Sequence, residues 1–566
     1  MLSRTKIKII PVVSIFIVTF LLLFMLRATQ QTGDSLSYAL SAKTGQRMFH
    51  PHHLLFTPII YLSYSAITLI CKSCDVIFAA QLHNIILATV VILSFYVILK
   101  DVIVFSSFFS TLLTILLLIS RGILVFSTQI EVYIPATACL TLFVLIMTTR
   151  LMSNKFDNAK VIALLLLLTM AIFYHQTNVL FCIPFSYYFI ATQNKQRYKS
   201  LIIILSLSGI IVLLAYILAF FSIDENRTAA NFLRFCLSYS FYPDPNWGSL
   251  EHFSLLGIKK LLKSQLWNVV ELPRRFRYIA VSFLIILFIW NLVKASKPAT
   301  YHNKFRRFLL IWIMTYFIFF LWWLPGEKEF FITTLVPIML LFALSIKDLL
   351  GKEKKLRFLN KLIPVVLILF IAFISAKNGK NALALHQTQG TDYRNAWRMA
   401  KLIPEECVIL TDWTTQNHLQ YFFEREKVLD ADLLLFFYNN ESLPEYYHLK
   451  EEKCVVVALS YVTPDYDIAK YNGYTCPSKW IEYMKWLFDF KYNSEQRRAT
   501  CRKFELLHDD NGTLYVYLSS STVEIENFNK VFEALDGKIN MYFGKQINPF
   551  GNWLAKNPRA ENLILP

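Results

Sequence analysis

The sequence predicts an α-helical polytopic membrane protein of about eleven spans, followed by a soluble α/β domain on the non-cytoplasmic side. Three observations carry that prediction. Of 566 residues, 55% are hydrophobic and 16% aromatic, with a mean hydropathy of +0.44. Soluble chains hold roughly 45–50% apolar residues. The apolar residues are gathered into blocks that reach the ~20 residues needed to cross a bilayer. The formal charge of +18 is unevenly spread: residues 1–376 carry 35 Lys+Arg against 14 Asp+Glu, and residues 377–566 carry 22 against 25. This pattern argues against a soluble enzyme, a disordered scaffold and a nucleic-acid binder, which concentrates basic residues on a folded surface. Here the basic residues cluster in short loops between apolar blocks, as the positive-inside rule requires.

Apolar spans fall at about 8–26, 77–99, 102–120, 133–149, 160–175, 177–192, 201–222, 278–296, 306–324, 329–348 and 361–376. A shorter run, 54–70, is interrupted by Pro58 and several hydroxyls, and reads as re-entrant or interfacial. The basic N-terminus (Arg4, Lys6, Lys8) and the basic loops between later spans place the N-terminus in the cytoplasm and the C-terminus outside. The first apolar stretch lacks a small-residue cleavage site and reads as a span, not a removed signal peptide. The domain organisation expected is therefore a transmembrane domain over 1–376, with outer loops 27–53 and 223–277, and an outer soluble domain over 377–566. In that outer domain, runs 407–410, 454–459 and 514–518 read as strands, with helical patterns at 393–402 and 416–423.

Nine cysteines are present. Cys407, Cys454, Cys476 and Cys501 lie in the outer domain, where two disulfides or buried free thiols are equally good readings. Cys71 and Cys74 form a lone C-x-x-C, which argues against zinc. Asn226, Asn440 and Asn511 begin N-x-S/T triplets on the outer side.

Ionisable groups in or beside spans are costly and mark functional candidates. The first is Asp34 in Thr32-Gly33-Asp34-Ser35, just beyond the first span. A carboxylate there can take a proton from an acceptor hydroxyl; the competing reading is an N-cap for a helix starting at Ser35. Next come His50, His52 and His53, which can meet an anion or a metal, or simply surround a Pro-initiated helix. Glu131, in Gln129-Ile130-Glu131-Val132-Tyr133, lies at the outer start of a span, where a glutamate is also favourable to the helix. Tyr174-His175-Gln176-Thr177-Asn178 is a polar island between apolar runs, a site or a wet turn. Trp322-Trp323-Leu324-Pro325-Gly326-Glu327-Lys328-Glu329 offers Lys328 to a phosphate, or its aromatics to an interfacial belt. The predicted topology places all of these on one face. Beside them, Arg274, Arg275 and Arg277 cluster at an outer span start, and arginine recognises phosphate bidentately.

The arrangement resembles the GT-C membrane glycosyltransferases, in particular the protein O-mannosyltransferase-like branch that uses polyprenyl-phosphate sugars. Gly33-Asp34-Ser35, His50-Pro51, Glu131-Val132-Tyr133 and His175-x-Thr177 with Pro184 match that branch in order, across residues 30–185. The chain departs from the pattern where His52 and His53 replace a Pro and a Gly, where Tyr174 replaces an Asn, and where Leu36-Ser37 follows the Asp-Ser.

The resemblance implies transfer of a sugar, hexosyl or pentosyl, from a polyprenyl-phosphate donor to an acceptor hydroxyl, with inversion, on the outer face. Asp34, with Glu131, would be catalytic. His50, His52, His175, Arg274, Arg275, Arg277 and Lys328 would bind substrate and stabilise the leaving phosphate. No metal is required for this, although Asp34 and Glu131 are the residues that would hold a divalent ion. The partners implied are a polyprenyl-phosphate-linked sugar, the lipid bilayer, and a protein, lipid or glycan acceptor, with no nucleic acid. The location implied is the bacterial inner membrane with a periplasmic C-terminal domain, or the endoplasmic reticulum with a lumenal one in a eukaryote. The competing readings are a polysaccharide ligase or polymerase using diphosphate-linked donors, a transporter, and a non-catalytic assembly subunit.

Overall fold

The computed structural model describes residues 9–150, 158–191, 195–223, 228–237, 248–297, 300–350, 357–387 and 390–430, with gaps at 404, 406–407 and 427, and strand residues 455–458, 505–508 and 514–518. Asn226, Asn440 and Asn511, and the four outer-domain cysteines, lie outside the described residues. The chain divides into two compact units: Met1–Thr29, Met48–Leu218 and Asp244–Thr388 form the first, and Gln30–Arg47, Ala219–Pro243 and Gln389–Pro566 the second.

In chain order the helices begin with α1 (Ile9–Met25), α2 (Gly33–Thr44), α3 (Phe56–Ile70), α4 (Val76–Val97), α5 (Ser107–Leu118) and α6 (Arg121–Thr128). They continue with α7 (Tyr133–Arg150), α8 (Asn158–Tyr174), α9 (Cys182–Ala191), α10 (Lys195–Ile223), α11 (Ala229–Cys236) and α12 (Leu255–Val269). The last are α13 (Arg274–Ala295), α14 (Tyr301–Trp323), α15 (Ile332–Leu350), α16 (Arg357–Gln387), α17 (Thr391–Leu402) and α18 (Trp413–Phe422). The strands are β1 (Val408–Thr411), β2 (Val428–Asp430), β3 (Val455–Ala458), β4 (Glu505–His508) and β5 (Leu514–Leu518).

Helix starts follow side-chain chemistry. A cap oxygen satisfies a backbone N–H that has no partner in the first turn. Asp75 accepts from Phe78 N at α4, Ser254 from Gly257 N at α12, Thr300 from Asn303 N at α14 and Asp412 from Thr415 N at α18.

Among the described residues six helices are long and apolar enough to cross a membrane, or seven if one bent pair is a single span. The chain is an integral multi-pass membrane protein. α1, α3 and α8, with the apolar part of α7, are shorter apolar helices. Three expected spans differ in detail. The run at 102–120 does not form one straight helix: α4 passes into a π-helical turn at Ile98–Val102, and the chain resumes as α5 and α6, bent by 58° at their junction. The run at 177–192 opens as a 3-10 turn, Gln176–Phe181, before α9. α16 runs on to Gln387, past the expected end at 376.

The core of the first unit is aromatic. Trp312 of α14 is fully buried against Phe181 and Phe308, and Phe143 of α7 meets Phe181 and Phe185 edge-on. α13 by contrast exposes Phe276, Ile279, Phe283 and Ile286, apolar surface suited to lipid. Where spans end, buried carboxamides tie loop carbonyls that no helix satisfies. Gln81 Nε2 donates to Ala28 O and Thr128 O, Asn84 Nδ2 to Gln129 O and Glu131 O, and Asn378 Nδ2 to Ile119 O and Val269 O. Between α3 and α4, Cys71 and Cys74 form a disulfide, so these thiols ligate nothing.

α6 and α12 approach closely at Gly122. A Cβ there would lie 2.3 Å from Asn268 Oδ1, and Asn268 is held by its own bonds to Ser264 O and Lys328 O. Gly122→Ala is therefore expected to lower unfolding stability by about 1–3 kcal/mol, the usual cost of overpacking. Thermal unfolding in detergent or nanodiscs checks it, and a variant as stable as the parent contradicts this close approach.

In the second unit β1 pairs in parallel with β2 and β3, and β5 pairs antiparallel with β3 and β4, giving the order β2-β1-β3-β5-β4. α17, β1, α18 and β2 share a small core of Ala396, Met399, Ile403, Ile409, Leu419 and Val428. α2 lies against α18 in the same unit.

Candidate functional site

Asp34 sits in the first turn of α2, in the second unit. It is not the cap expected from Gly-Asp-Ser. The helix starts one residue before Asp34, and Thr32 Oγ1 accepts the Ser35 N–H at 3.0 Å. The Asp34 carboxylate accepts instead from the indole N–H of Trp413, 3.2 Å away, at the start of α18. Gly33 makes this approach possible, because a Cβ there would stand 2.9 Å from Trp413 Cδ1. Asp34 keeps an exposed surface, yet the surrounding protein raises its carboxyl above the usual aspartate value; the Trp413 hydrogen bond, which favours the charged form, opposes that push.

In the first unit the histidines come together. Ring centroids of His50 and His53 are 5.0 Å apart, His50 and His52 5.6 Å, and His53 and His175 4.8 Å. The expected Pro-initiated helix is absent at this point: α3 starts at Phe56, and the segment before it is a tight turn in which His53 N bonds His50 O. Gln176 N donates to His52 O, joining the turn to the segment after α8. The His52 N–H donates to His50 Nδ1 at 3.2 Å, so in the neutral ring the proton lies on Nε2. Burial pushes His50 down to about 4. His52 and His53 lie well below the usual value, from burial first and then from their histidine neighbours. At neutral pH these rings are uncharged hydrogen-bonding groups.

His175 continues the chain of rings: Tyr133 lies 4.7 Å from it, and Phe330 lies 5.8 Å from Tyr133. The polar island around it is hydrogen-bonded within the protein. Asn178 Nδ2 donates to Ala171 O and His175 O, and its Oδ1 accepts from Tyr316. Glu131 is buried two residues before Tyr133, its carbonyl held by Asn84. Four of the five polar groups singled out in the sequence therefore meet at one end of the first unit: the histidine turn, the Glu131–Tyr133 corner, the island around His175 and the turn leading to Phe330.

Lys328, in that last turn, places its ammonium 5.1 Å from the Trp267 ring centroid. Arg121 stacks on the same indole at 4.3 Å and pairs with Glu271. Sequence reasoning passed over Arg121. Its signal was a lone arginine at the junction of two apolar runs, a costly place for a charge. Trp413 was also missed, since nothing local marks it. Of the arginine cluster, Arg274 and Arg275 are exposed at the start of α13, and Arg277 Nε is committed to Leu272 O. Among the described residues no three His, Cys, Asp or Glu side chains form a ligand set for a metal ion.

No protein-family model matches the sequence, and no characterised protein matches it significantly. Solved structures do resemble it. ArnT from Cupriavidus metallidurans, bound to undecaprenyl phosphate, matches with a TM-score of 0.54 at 10% identity, covering 91% of this chain and 98% of that one. The oligosaccharyltransferase of Archaeoglobus fulgidus, in complex with Zn and sulfate, matches with a TM-score of 0.51 at 12% identity, covering 89% and 73%. Its apo form matches with a TM-score of 0.50, covering 98% and 86%. The chain has the GT-C fold. The likeness at such low identity is one of fold. Within that fold, the polar groups gathered in the first unit stand at helix ends.

Proposed function

We propose that this chain is a membrane glycosyltransferase of GT-C type that moves a hexosyl or pentosyl unit from a polyprenyl-phosphate donor to an acceptor hydroxyl, with inversion. One observation carries the reading: in a GT-C fold, neutral histidines, Tyr133, Glu131 and the Lys328 turn converge at one end of the first unit. Cations and N–H donors of this kind suit a phosphate leaving group. The likeness to a protein that binds undecaprenyl phosphate supports the donor class.

In the proposed reaction the acceptor oxygen bonds the anomeric carbon as the bond to the phosphate oxygen breaks, its electron pair leaving with the phosphate. Asp34 takes the acceptor proton. Its carboxylate is available because Thr32 does the capping, and Trp413 orients it. His50 offers Nε2–H as an uncharged donor, and Lys328 supplies positive charge. Glu131 is assigned to catalysis with Asp34, and His52 to substrate binding with His50 and His175. Arg274 and Arg275 are assigned to headgroups at the membrane surface. We further assign residues 1–376 as the catalytic membrane domain with eleven spans and an outward active face, and residues 377–566 to acceptor recognition. The compartment proposed is a bacterial inner membrane with the C-terminal region in the periplasm, the endoplasmic reticulum being the eukaryotic equivalent.

The test is release of radiolabelled sugar from a panel of polyprenyl-phosphate donors by purified protein in lipid nanodiscs. One donor is expected to be consumed in the presence of wild type and spared by Asp34→Asn. Consumption of diphosphate-linked donors alone would replace this reading with a ligase or polymerase, and consumption of neither would abandon transfer.

A further inference from the structure

His175 is held from several directions. Its ring is flanked by those of His53 at 4.8 Å and Tyr133 at 4.7 Å. Its Nδ1 accepts the backbone N–H of Thr177 at 3.3 Å, and the Thr177 hydroxyl lies 2.6 Å from the same nitrogen. A backbone N–H can only donate, so Nδ1 is the acceptor in the neutral ring and the proton resides on Nε2. The hydroxyl, facing an acceptor at 2.6 Å, donates to it as well. His175 is buried, so few waters compete for Nδ1, and the Thr177 backbone and side chain decide which nitrogen keeps its proton.

We propose that Thr177 is a positioning residue that locks His175 in the Nε2–H form, so that the ring presents an uncharged N–H donor to the phosphate oxygen departing from the sugar. The inference rests on the transferase reading and adds to it the residue that sets the donor. No proton is transferred by the ring: the oxygen receiving the electron pair of the broken bond accepts a hydrogen bond from Nε2–H, and the acceptor's proton goes elsewhere. In the other form Nε2 would carry a lone pair and repel that oxygen. Removing one oriented donor of this type costs about 10²–10³ in kcat. Loss of the hydroxyl alone leaves the backbone donor in place, so the expected loss is smaller, about tenfold.

The experiment combines nitrogen-15 NMR of histidine-labelled full-length protein in nanodiscs with donor turnover. Among the eleven histidines, the His175 signals are assigned by their loss in His175→Gln. Wild type is expected to show His175 with Nδ1 unprotonated and Nε2 protonated. Thr177→Val is expected to mix the two forms and lower kcat about tenfold with donor KM little changed, and Thr177→Ser to restore both. A protonated Nδ1 in active wild type, or a Thr177→Val protein with kcat within twofold of wild type, overturns the assignment of Thr177. If Thr177→Val unfolds, Thr177→Ser decides, since full recovery of tautomer and kcat is required of it. Wild type that consumes no donor overturns the transferase reading instead, whatever the ring shows.

Discussion

Asp34→Asn protein is expected to lose sugar transfer by about 10²–10⁴-fold, the usual contribution of a general base, while melting at the same temperature as wild type or slightly higher. The first half follows from the proposed role. The second follows from the surroundings. Asp34 does not cap α2, because Thr32 does; asparagine retains an oxygen for the Trp413 N–H. The surrounding protein raises the carboxyl's pKa, so the sign is clear. A carboxylate whose folded pKa is raised weakens the fold fully above that pKa; the penalty fades as pH falls from the folded towards the unfolded value and is gone below it. Removing the charge relieves the penalty at neutral pH and changes nothing in acid. Loss of activity with preserved or improved stability is the signature of a functional group held at some cost to the fold. The rate of the wild type should fall on the acid side with a midpoint above the ordinary aspartate value. His50, pushed down to about 4, should add no limb near pH 6.5. A variant several degrees less stable, or one with normal turnover, would sink the assignment.

Asn84→Leu is the second large effect, and its expected result is the reverse: stability and activity fall together. Asn84 is fully buried in α4, and its amide bonds Gln129 O and Glu131 O, both at 2.9 Å. Leucine fills nearly the same space but donates nothing. Two buried carbonyls then each lose the Asn84 donor, at a cost of roughly 1–3 kcal/mol apiece, reduced where the unfolded chain in lipid finds other donors. The corner that carries Glu131 and Tyr133 would shift, and with it the ring contacts to His175 and Phe330. Thermal melting and donor turnover on one preparation check this. Unchanged melting would mean that Asn84 does not hold the corner.

Much of the fold could be read along the chain. Hydropathy over a window of about twenty residues reports a span because the bilayer forces each backbone polar group to be satisfied within its own helix. The cap residues at α4, α12 and α14 were equally local. Breaks within spans were harder to read. Nothing in the apolar run at 102–120 announces the π-turn and the 58° bend, because neither depends on side-chain hydropathy.

The candidate site divides the same way. Sequence by itself determined that this is a multi-span membrane chain with its notable charges at span ends, and it singled out Asp34, Glu131, the histidine turn, His175 and Lys328. It did so because burying an ionisable group in hydrocarbon is costly enough to be visible one residue at a time. Only the tertiary structure decided what those groups do to one another. Asp34 turned out to be paired with Trp413, 379 residues away, and Arg121 with Glu271, 150 away. Thr177, only two residues from His175, could not be read as its hydrogen-bond donor until the turn was seen. The physical reason is that a hydrogen bond depends on angle and separation to within about half an ångström, set by how helices are packed in depth and rotation. Hydropathy reports only that a helix is buried, not which of its neighbours each polar atom faces.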